Sequence, residues 1–327
     1  YELGDVIGVG TVGTIYMAVS RSTGERVAIK KLHPGVCQDP LIRARFQREV
    51  VIMERLRHPN IIRSYGGGND NGQLYYVMEL IDGGTVKNLL QMKGAFRWPI
   101  VVEIGRQVCS ALQFAHNHGV IHRDLKPGNL FLTRGAEVKL GDFGIARDLR
   151  GSDITSSGMT VGTHAYMAPE QITGDSAVSG KADLYSLGCC LFEMLVGRTP
   201  FQGENFAQLF DQHLRAKPPH VRDFVPDCPP ELDAIICKLL AKNPEDRPFN
   251  ARQVQAVMLQ LEEREISPES KLGQSKLGQS KLGQEIIHEP EDVPAEDVGA
   301  LGREMLRDEI EHQFGGSRGD VSWQRLA

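Results

Sequence analysis

"VIHRDLKPGNL" (Val120–Leu130) sets His122, Arg123, Asp124, Lys126 and Asn129 between the apolar residues Val120, Ile121, Leu125 and Leu130. Polar groups crowded between apolar anchors must form a structured loop, because both their side chains and their backbone amides need partners once the anchors are buried. A second stretch, "KLGDFGIA" (Lys139–Ala146), repeats the design around Asp142. Taken singly, Asp124 or Asp142 reads as an ordinary surface acid. As a pair of loops they call for a site elsewhere in the chain that they serve.

That site begins at "VIGVGTVGTIYMAV" (Val6–Val19), where Gly8, Gly10 and Gly13 form G-x-G-x-x-G. Such glycines let backbone approach phosphate, in dinucleotide-binding turns and in flaps over ATP alike. A dinucleotide turn leads straight into a helix, with an acid about 20 residues on to hold the ribose. Here strand formers follow Gly13 and the corresponding position is His33, so the glycines join two strands and form a flap. "RVAIK" then ends a strand at Lys30, whose ammonium would point under the flap and needs an anionic partner if buried. Glu49, on the helix read from Phe46 to Leu56, is the nearest suitable acid.

The flap, Lys30 and the two loops occur in the order and spacing of the protein kinase signature set. Residues 1–264 resemble the eukaryotic-type protein kinase family. The resemblance implies an α+β, two-lobed fold, with a strand-rich N-lobe (1–81) carrying one helix and a helical C-lobe (82–264). It implies that Asp124 accepts the proton of a substrate hydroxyl and that Lys126 neutralises charge on the γ-phosphate. Lys30, paired with Glu49, would hold the α- and β-phosphates; Asn129 and Asp142 would hold magnesium, or manganese in its place. Adenine would lie under Ile7, Ile15 and Ala28, over Phe131, beside Met78, against the backbone of Glu79 and Ile81. Val12, at the tip of the flap, would be a small cap over the transferred phosphate. "MAPE" (Met167–Glu170), Arg247 and Asp183 match structural positions of the family, with Glu170 paired to Arg247 and Asp183 bracing the catalytic loop.

Lys126 in "RDLKPGN" and Thr163 in "GTHAYMAPE" resemble the serine/threonine branch. The acids that select arginine upstream of a phosphosite are replaced by Gly128 and Thr85, so no arginine requirement is expected. Arg123 resembles the family's pocket for a phosphorylated activation segment, whose candidates here are Ser152, Thr155, Ser156, Ser157 and Thr160, with Thr155 and Thr160 foremost. Gly141 would let the Asp-Phe-Gly segment move. A nucleotide-binding scaffold without turnover is the rival reading; it would lack one of Lys30, Asp124, Asn129 or Asp142, and all four are present.

Bulk properties fit. The chain has 327 residues, 41% hydrophobic and 24% charged, as in an ordinary globular protein, and its net charge of −5 does not point to a nucleic-acid partner. Six scattered cysteines without metal-ligand spacing read as reduced thiols of the cytoplasm. The longest apolar run, Leu184–Val196, is too short for a membrane span and reads as a core helix. A start at Tyr1 marks a fragment or processed chain, and compact loops resemble bacterial members of the family, in which such a domain continues to a membrane helix. Any membrane contact would then lie outside this chain. The partners expected are protein substrates, ATP and a second copy during autophosphorylation.

The composition changes after Arg264. "SKLGQ" is written three times over Ser270–Gln284, followed by an acidic, proline-containing stretch, Glu285–Val298. Residues 265–327 read as a linker-like tail. Within it, "ALGREMLRDEIEHQF" places Leu301, Met305, Ile310 and Phe314 near one helical face, which reads equally as a short docking helix or as a marginal free helix.

Overall fold

The computed structural model describes residues 1–10, 12–38, 40–143, 164–175, 178–266 and 300–314. Its first lobe is a five-stranded antiparallel sheet in the order β1-β2-β3-β5-β4, built from β1 (Glu2–Val9), β2 (Gly13–Val19), β3 (Arg26–Leu32), β4 (Ser64–Asp70) and β5 (Gln73–Glu79). One helix, α1 (Pro40–Arg55), packs on it through Phe46, Val50 and Met53. Leu56, read as the last residue of the helix, lies one residue past it and is also buried.

The β4–β5 turn is tight: Gly66–Asp70 belong to β4, and Asn71 and Gly72 turn the chain, both with positive φ. The glycines of β4 serve packing instead. A Cβ on Gly67 would sit 2.7 Å from the Tyr75 carbonyl oxygen, and one on Gly68 would sit 2.8 Å from the Tyr75 hydroxyl.

The second lobe is helical: α2 (Val86–Lys93), α3 (Trp98–Asn117), α4 (Pro169–Ile172), α5 (Gly180–Val196), α6 (Phe206–Arg215), α7 (Pro230–Leu239) and α8 (Ala251–Ile266). Between α3 and α4 runs a small hairpin, β6 (Leu130–Leu132) with β7 (Val138–Leu140). The core centres on α3 and α5. Val101, Val102, Ile104 and Leu112 of α3 and Leu187, Leu191 and Phe192 of α5 are wholly buried, which explains the long, mainly apolar run read in the sequence. Among the described residues no helix is long and apolar enough to cross a membrane.

The lobes are stitched at one place that matters for the site. Asn60 and Ile62, just before β4, exchange backbone hydrogen bonds with Leu140 at 2.8 and 3.0 Å, and the Asn60 amide donates to the Val138 carbonyl at 2.9 Å. The strand leading to Asp142 is thereby fixed against the first lobe. A further helix, α9 (Ala300–Phe314), packs along α3. Its buried face is Leu306, Ile310 and Phe314, with Gly302 against α3. Leu301, expected on that face, is exposed: the face turns at every fourth residue from Gly302, and position 301 falls beside it. The SKLGQ repeats and the acidic stretch lie outside the described residues.

Candidate functional site

The loop quoted first is held from beneath by Asp183, near the start of α5. Its wholly buried carboxylate accepts the backbone N–H of His122 at 2.8 Å and of Arg123 at 2.7 Å. The His116 ring, 2.8 Å away, completes the set. A single carboxylate satisfying consecutive amides fixes a sharp backbone bend, and Arg123 accordingly has φ 64°. The His122 ring meets the Gly141 carbonyl at 2.9 Å and lies 4.8 Å from the buried Phe143 ring, tying this loop to the Asp-Phe-Gly loop.

Above this support the polar side chains converge. Lys126 Nζ lies 2.7 Å from Asp124 Oδ2. The Asn129 amide donates to the Asp124 carbonyl at 2.7 Å and reaches its carboxylate at 3.3 Å. Both Asp124 groups that face the buried Asn129 are acceptors, so its amide nitrogen is turned to them and its amide oxygen away.

Across the cleft, Lys30 Nζ lies 2.7 Å from Asp142 Oδ1. Withdrawal from solvent pushes the ammonium down, but the Asp142 carboxylate and the Tyr76 hydroxyl outweigh it, and the Lys30 pKa is raised. Withdrawal likewise pushes the Asp142 carboxyl up, and Lys30 together with the Tyr76 hydroxyl brings it below its ordinary value. Glu49 lies on α1, but its side chain is outside the described residues, as are Thr155, Thr160 and Thr163. The described anionic partner of Lys30 is therefore Asp142.

Tyr76 was missed by sequence reasoning. It is buried in β5, and its hydroxyl donates to Asp142 Oδ1 at 3.1 Å. Strand alternation supplies the signal that could have found it: Tyr76 and Met78 share a face of β5, opposite Lys30 and Ala28 of β3. A small apolar cavity behind Met78, lined by Val50, Ile62, Tyr76 and Phe143, separates this cluster from α1.

The residues read as lining an adenine position lie together. Ala28, Met78 and Ile81 are buried in one apolar cluster, and Ile7, Ile15 and Phe131 pack against it half-buried. Glu79 N–H donates to the Arg63 carbonyl at 2.9 Å, and its carboxylate pairs with Lys139 at 2.9 Å. Gly8, Gly10 and Gly13 do join β1 to β2; a Cβ on Gly13 would come within 2.3 Å of the Lys31 carbonyl oxygen. Val12, read as a small cap at the tip of the flap, turns into the lobe instead. It is buried among Ala28, Leu32 and Phe46, and its carbonyl accepts the His33 N–H at 2.8 Å, because an apolar side chain at this turn gains more from the lobe's core than from solvent. Gly141 has a packing role: a Cβ there would lie 2.6 Å from Ile62 and 2.9 Å from the Phe131 ring.

The structural pair expected from the sequence is present. Glu170 and Arg247 form two hydrogen bonds at 2.7 and 2.9 Å in a buried setting. Among the described residues, the His, Cys and acidic side chains close enough to share an ion are His220, Asp233 and Cys237, far along the chain from this site. There Asp233 is engaged by the His220 ring and the Val221 N–H, as a brace for that turn.

The protein kinase domain profile matches residues 1–258. The chain is 38% identical over 269 residues to serine/threonine-protein kinase PknB of Mycolicibacterium smegmatis, covering 80% of this chain and 43% of that protein. It is 39% identical over 253 residues to the probable serine/threonine-protein kinase SCO3848 of Streptomyces coelicolor, covering 76% and 37%. Among solved structures, the PknI kinase domain of Mycobacterium tuberculosis aligns with TM-score 0.62 at 29% identity, over 78% of this chain and 93% of that one. Rad53 1-466 in complex with AMP-PNP aligns with TM-score 0.64 at 30% identity, over 77% and 62%. The chain spans about two fifths of the length of these curated relatives.

Proposed function

Since the chain belongs to the protein kinase family, we propose that it transfers the γ-phosphate of ATP to serine and threonine hydroxyls of proteins. The observation that carries this reading is the Asp124–Lys126–Asn129 cluster, with Lys126 at 2.7 Å from the Asp124 carboxylate and Asn129 at 2.7 Å from its carbonyl. Relatives that bear the serine/threonine-kinase name support the choice of hydroxyl.

In this reading Asp124 takes the proton of the incoming hydroxyl, and Asp183 holds the backbone that aims it. Lys126 keeps the carboxylate oriented and places a cation beside the transferred group, where charge accumulates on phosphoryl oxygens. Lys30 and the backbone between Gly8 and Gly13 bind the phosphates. Adenine is enclosed by Ile7, Ile15, Ala28, Met78, Ile81 and Phe131, against the backbone of Glu79 and Ile81. Asp142 and Asn129 offer a carboxylate and an amide oxygen, a donor set suited to a hard divalent cation such as magnesium, with manganese as its substitute. When bound, that cation supplies charge neutralisation at the phosphate oxygens. Regulation by phosphorylation of Thr155 or Thr160, with Arg123 and Thr163 in attendance, belongs to the same proposal, as does contact between two copies for autophosphorylation. The cytoplasmic setting is supported by six free thiols, five of them buried.

The test is γ-phosphate transfer from labelled ATP to serine and threonine peptides by the full chain and by Asp124→Asn. Loss of a general base costs about 10²- to 10⁴-fold in rate. ATP binding without transfer by the parent chain would instead assign it a scaffold role.

A further inference from the structure

Helix α9 lies beyond the residues matched by the kinase domain profile, which end at 258. It is nevertheless built into the second lobe's core. Leu306 and Ile310 are wholly buried, Phe314 is 8% exposed, and all three join the cluster that contains Leu89 of α2 and Val102 of α3. Spaced by four residues from Gly302, they make one apolar stripe on a helix whose other faces carry Arg307, Asp308 and Glu311.

The groove is shaped for this stripe. Gly302 sits so close to α3 that a Cβ there would lie 2.8 Å from the Pro99 carbonyl oxygen. Arg303 reaches the buried Glu103 carboxylate at 3.2 Å, and Lys93, at the end of α2, pairs with Glu309 at 2.9 Å. At the far end Phe314 closes over Gly84. A Cβ on Gly84 would lie 2.9 Å from the Phe314 ring, and φ of +74° disfavours a side chain there in any case.

Gly84 connects this groove to the nucleotide slot. Its carbonyl accepts the Leu132 N–H at 3.0 Å, and its neighbour Thr85 bridges to Phe131, the residue under the proposed adenine position. On that same side of the segment, Gly83 lies against the Leu132 carbonyl with no room for a Cβ. The segment Gly83–Thr85 is therefore held between β6 on its inner side and Phe314 on its outer side.

We propose that the groove formed by α2, α3 and Gly84 is a helix-docking site whose occupant is α9 of the same chain, and that a seated α9 tightens nucleotide binding by bracing Gly83–Thr85. The docking half of this proposal stands on the packing alone; the nucleotide half rests on the proposed ATP reading. Docking a tethered helix is favoured by an effective concentration in the millimolar range, so the groove is occupied in cis, and a free copy of the helix should find it closed.

The experiment uses the full chain, the full chain carrying Leu306→Asp with Ile310→Asp, and a fluorescent 15-residue peptide covering 300–314. The peptide is expected to bind the doubly substituted chain at least tenfold more tightly than the intact chain. By isothermal titration, the substituted chain should bind ATP about fivefold more weakly, at the low end of allosteric couplings, and saturating peptide should restore it. Restoration in trans is an effect that general destabilisation would not give. Equal peptide binding to both chains, or none to either, overturns docking in cis. An ATP affinity that the substitutions leave unchanged overturns the brace. If the double variant does not fold, Gly302→Leu, which forces the helix off Pro99, replaces it with the same readouts. Failure of the intact chain to bind ATP sinks the ATP reading, and the peptide arm still decides docking.

Discussion

Replacing Tyr76 by Phe removes a single oxygen, the one that donates to Asp142 Oδ1 at 3.1 Å, and leaves the buried ring in place. A hydrogen bond to a charged acceptor contributes about 1.5–3 kcal/mol. Asp142 keeps Lys30 at 2.7 Å and its side chain is 29% exposed, so the lower end of that range, about 1.5 kcal/mol, applies. For a domain of this size each kcal/mol moves the melting temperature by roughly 2–4 °C, giving a drop of about 3–6 °C at pH 7. The linkage has a definite sign. The folded Asp142 carboxyl is held below its ordinary value, so its contribution is present above the unfolded pKa of 3.8 and is lost as pH falls below it. Tyr76→Phe should therefore lower stability at pH 7 and shrink the part that is lost on acidification. Tyr65→Phe, at an exposed site, is the control and should stay within about 0.5 kcal/mol. A double-mutant cycle of Tyr76→Phe with Asp142→Asn, followed by urea unfolding, isolates the pair. A coupling energy under about 0.3 kcal/mol, the scatter expected of independent sites, would refute the assignment of Tyr76 as a positioning group for Asp142.

Glu170→Ala leaves the Arg247 guanidinium buried without its carboxylate; urea unfolding should show a loss of about 3–5 kcal/mol. Burial, helped by Lys242, pushes the His213 ring down to about 3 from 6.5. Between those values the unfolded chain binds a proton that the folded one does not, so stability should fall as pH drops from about 6.5 towards 3, by up to roughly 1.4 kcal/mol per unit. His213→Gln should flatten that slope in a pH series of unfolding curves. A Cβ on Gly128 would meet Lys87 Cδ at an ordinary 3.7 Å, and Thr85 is committed to capping α2. The position that would select arginine is thus neighboured by a cation. Gly128→Glu with Lys87→Glu should raise kcat/KM for peptides with upstream arginine by about threefold to fivefold, the scale of exposed ion pairs, and the parent chain should show no such preference on the same peptides.

Most of the site was legible because its chemistry is written in short, local runs. Asp124, Lys126 and Asn129 fall within six residues of one loop, and loop closure of that length leaves their mutual contacts little freedom. Partners far apart in sequence were less legible. Tyr76 meets Asp142 across 66 residues, and nothing in "LYYVMEL" marks one tyrosine over the other until strand pairing assigns their faces. Val12 was misread because a flap's position in the signature does not reveal which side of the sheet it turns to. The face of α9 was displaced by one residue for a related reason: Leu301 is as apolar as Leu306, and the close approach of Gly302 to Pro99 decides which of them turns inward.

Asp183 has a consequence for the motions open to this molecule. Because one carboxylate on the central buried helix holds the amides of His122 and Arg123, freeing those two N–H groups requires breaking buried, charge-assisted contacts to α5. Their hydrogen exchange should accordingly be slow, grouping the catalytic loop with the core it is anchored to. The described flap residues between β1 and β2 are held instead by His33, at the carbonyls of Gly10 and Val12, and by the Val12 side chain, so their amides should exchange sooner than those of the loop. The floor of the site is tied to a central carboxylate; its roof is tied to the end of a strand.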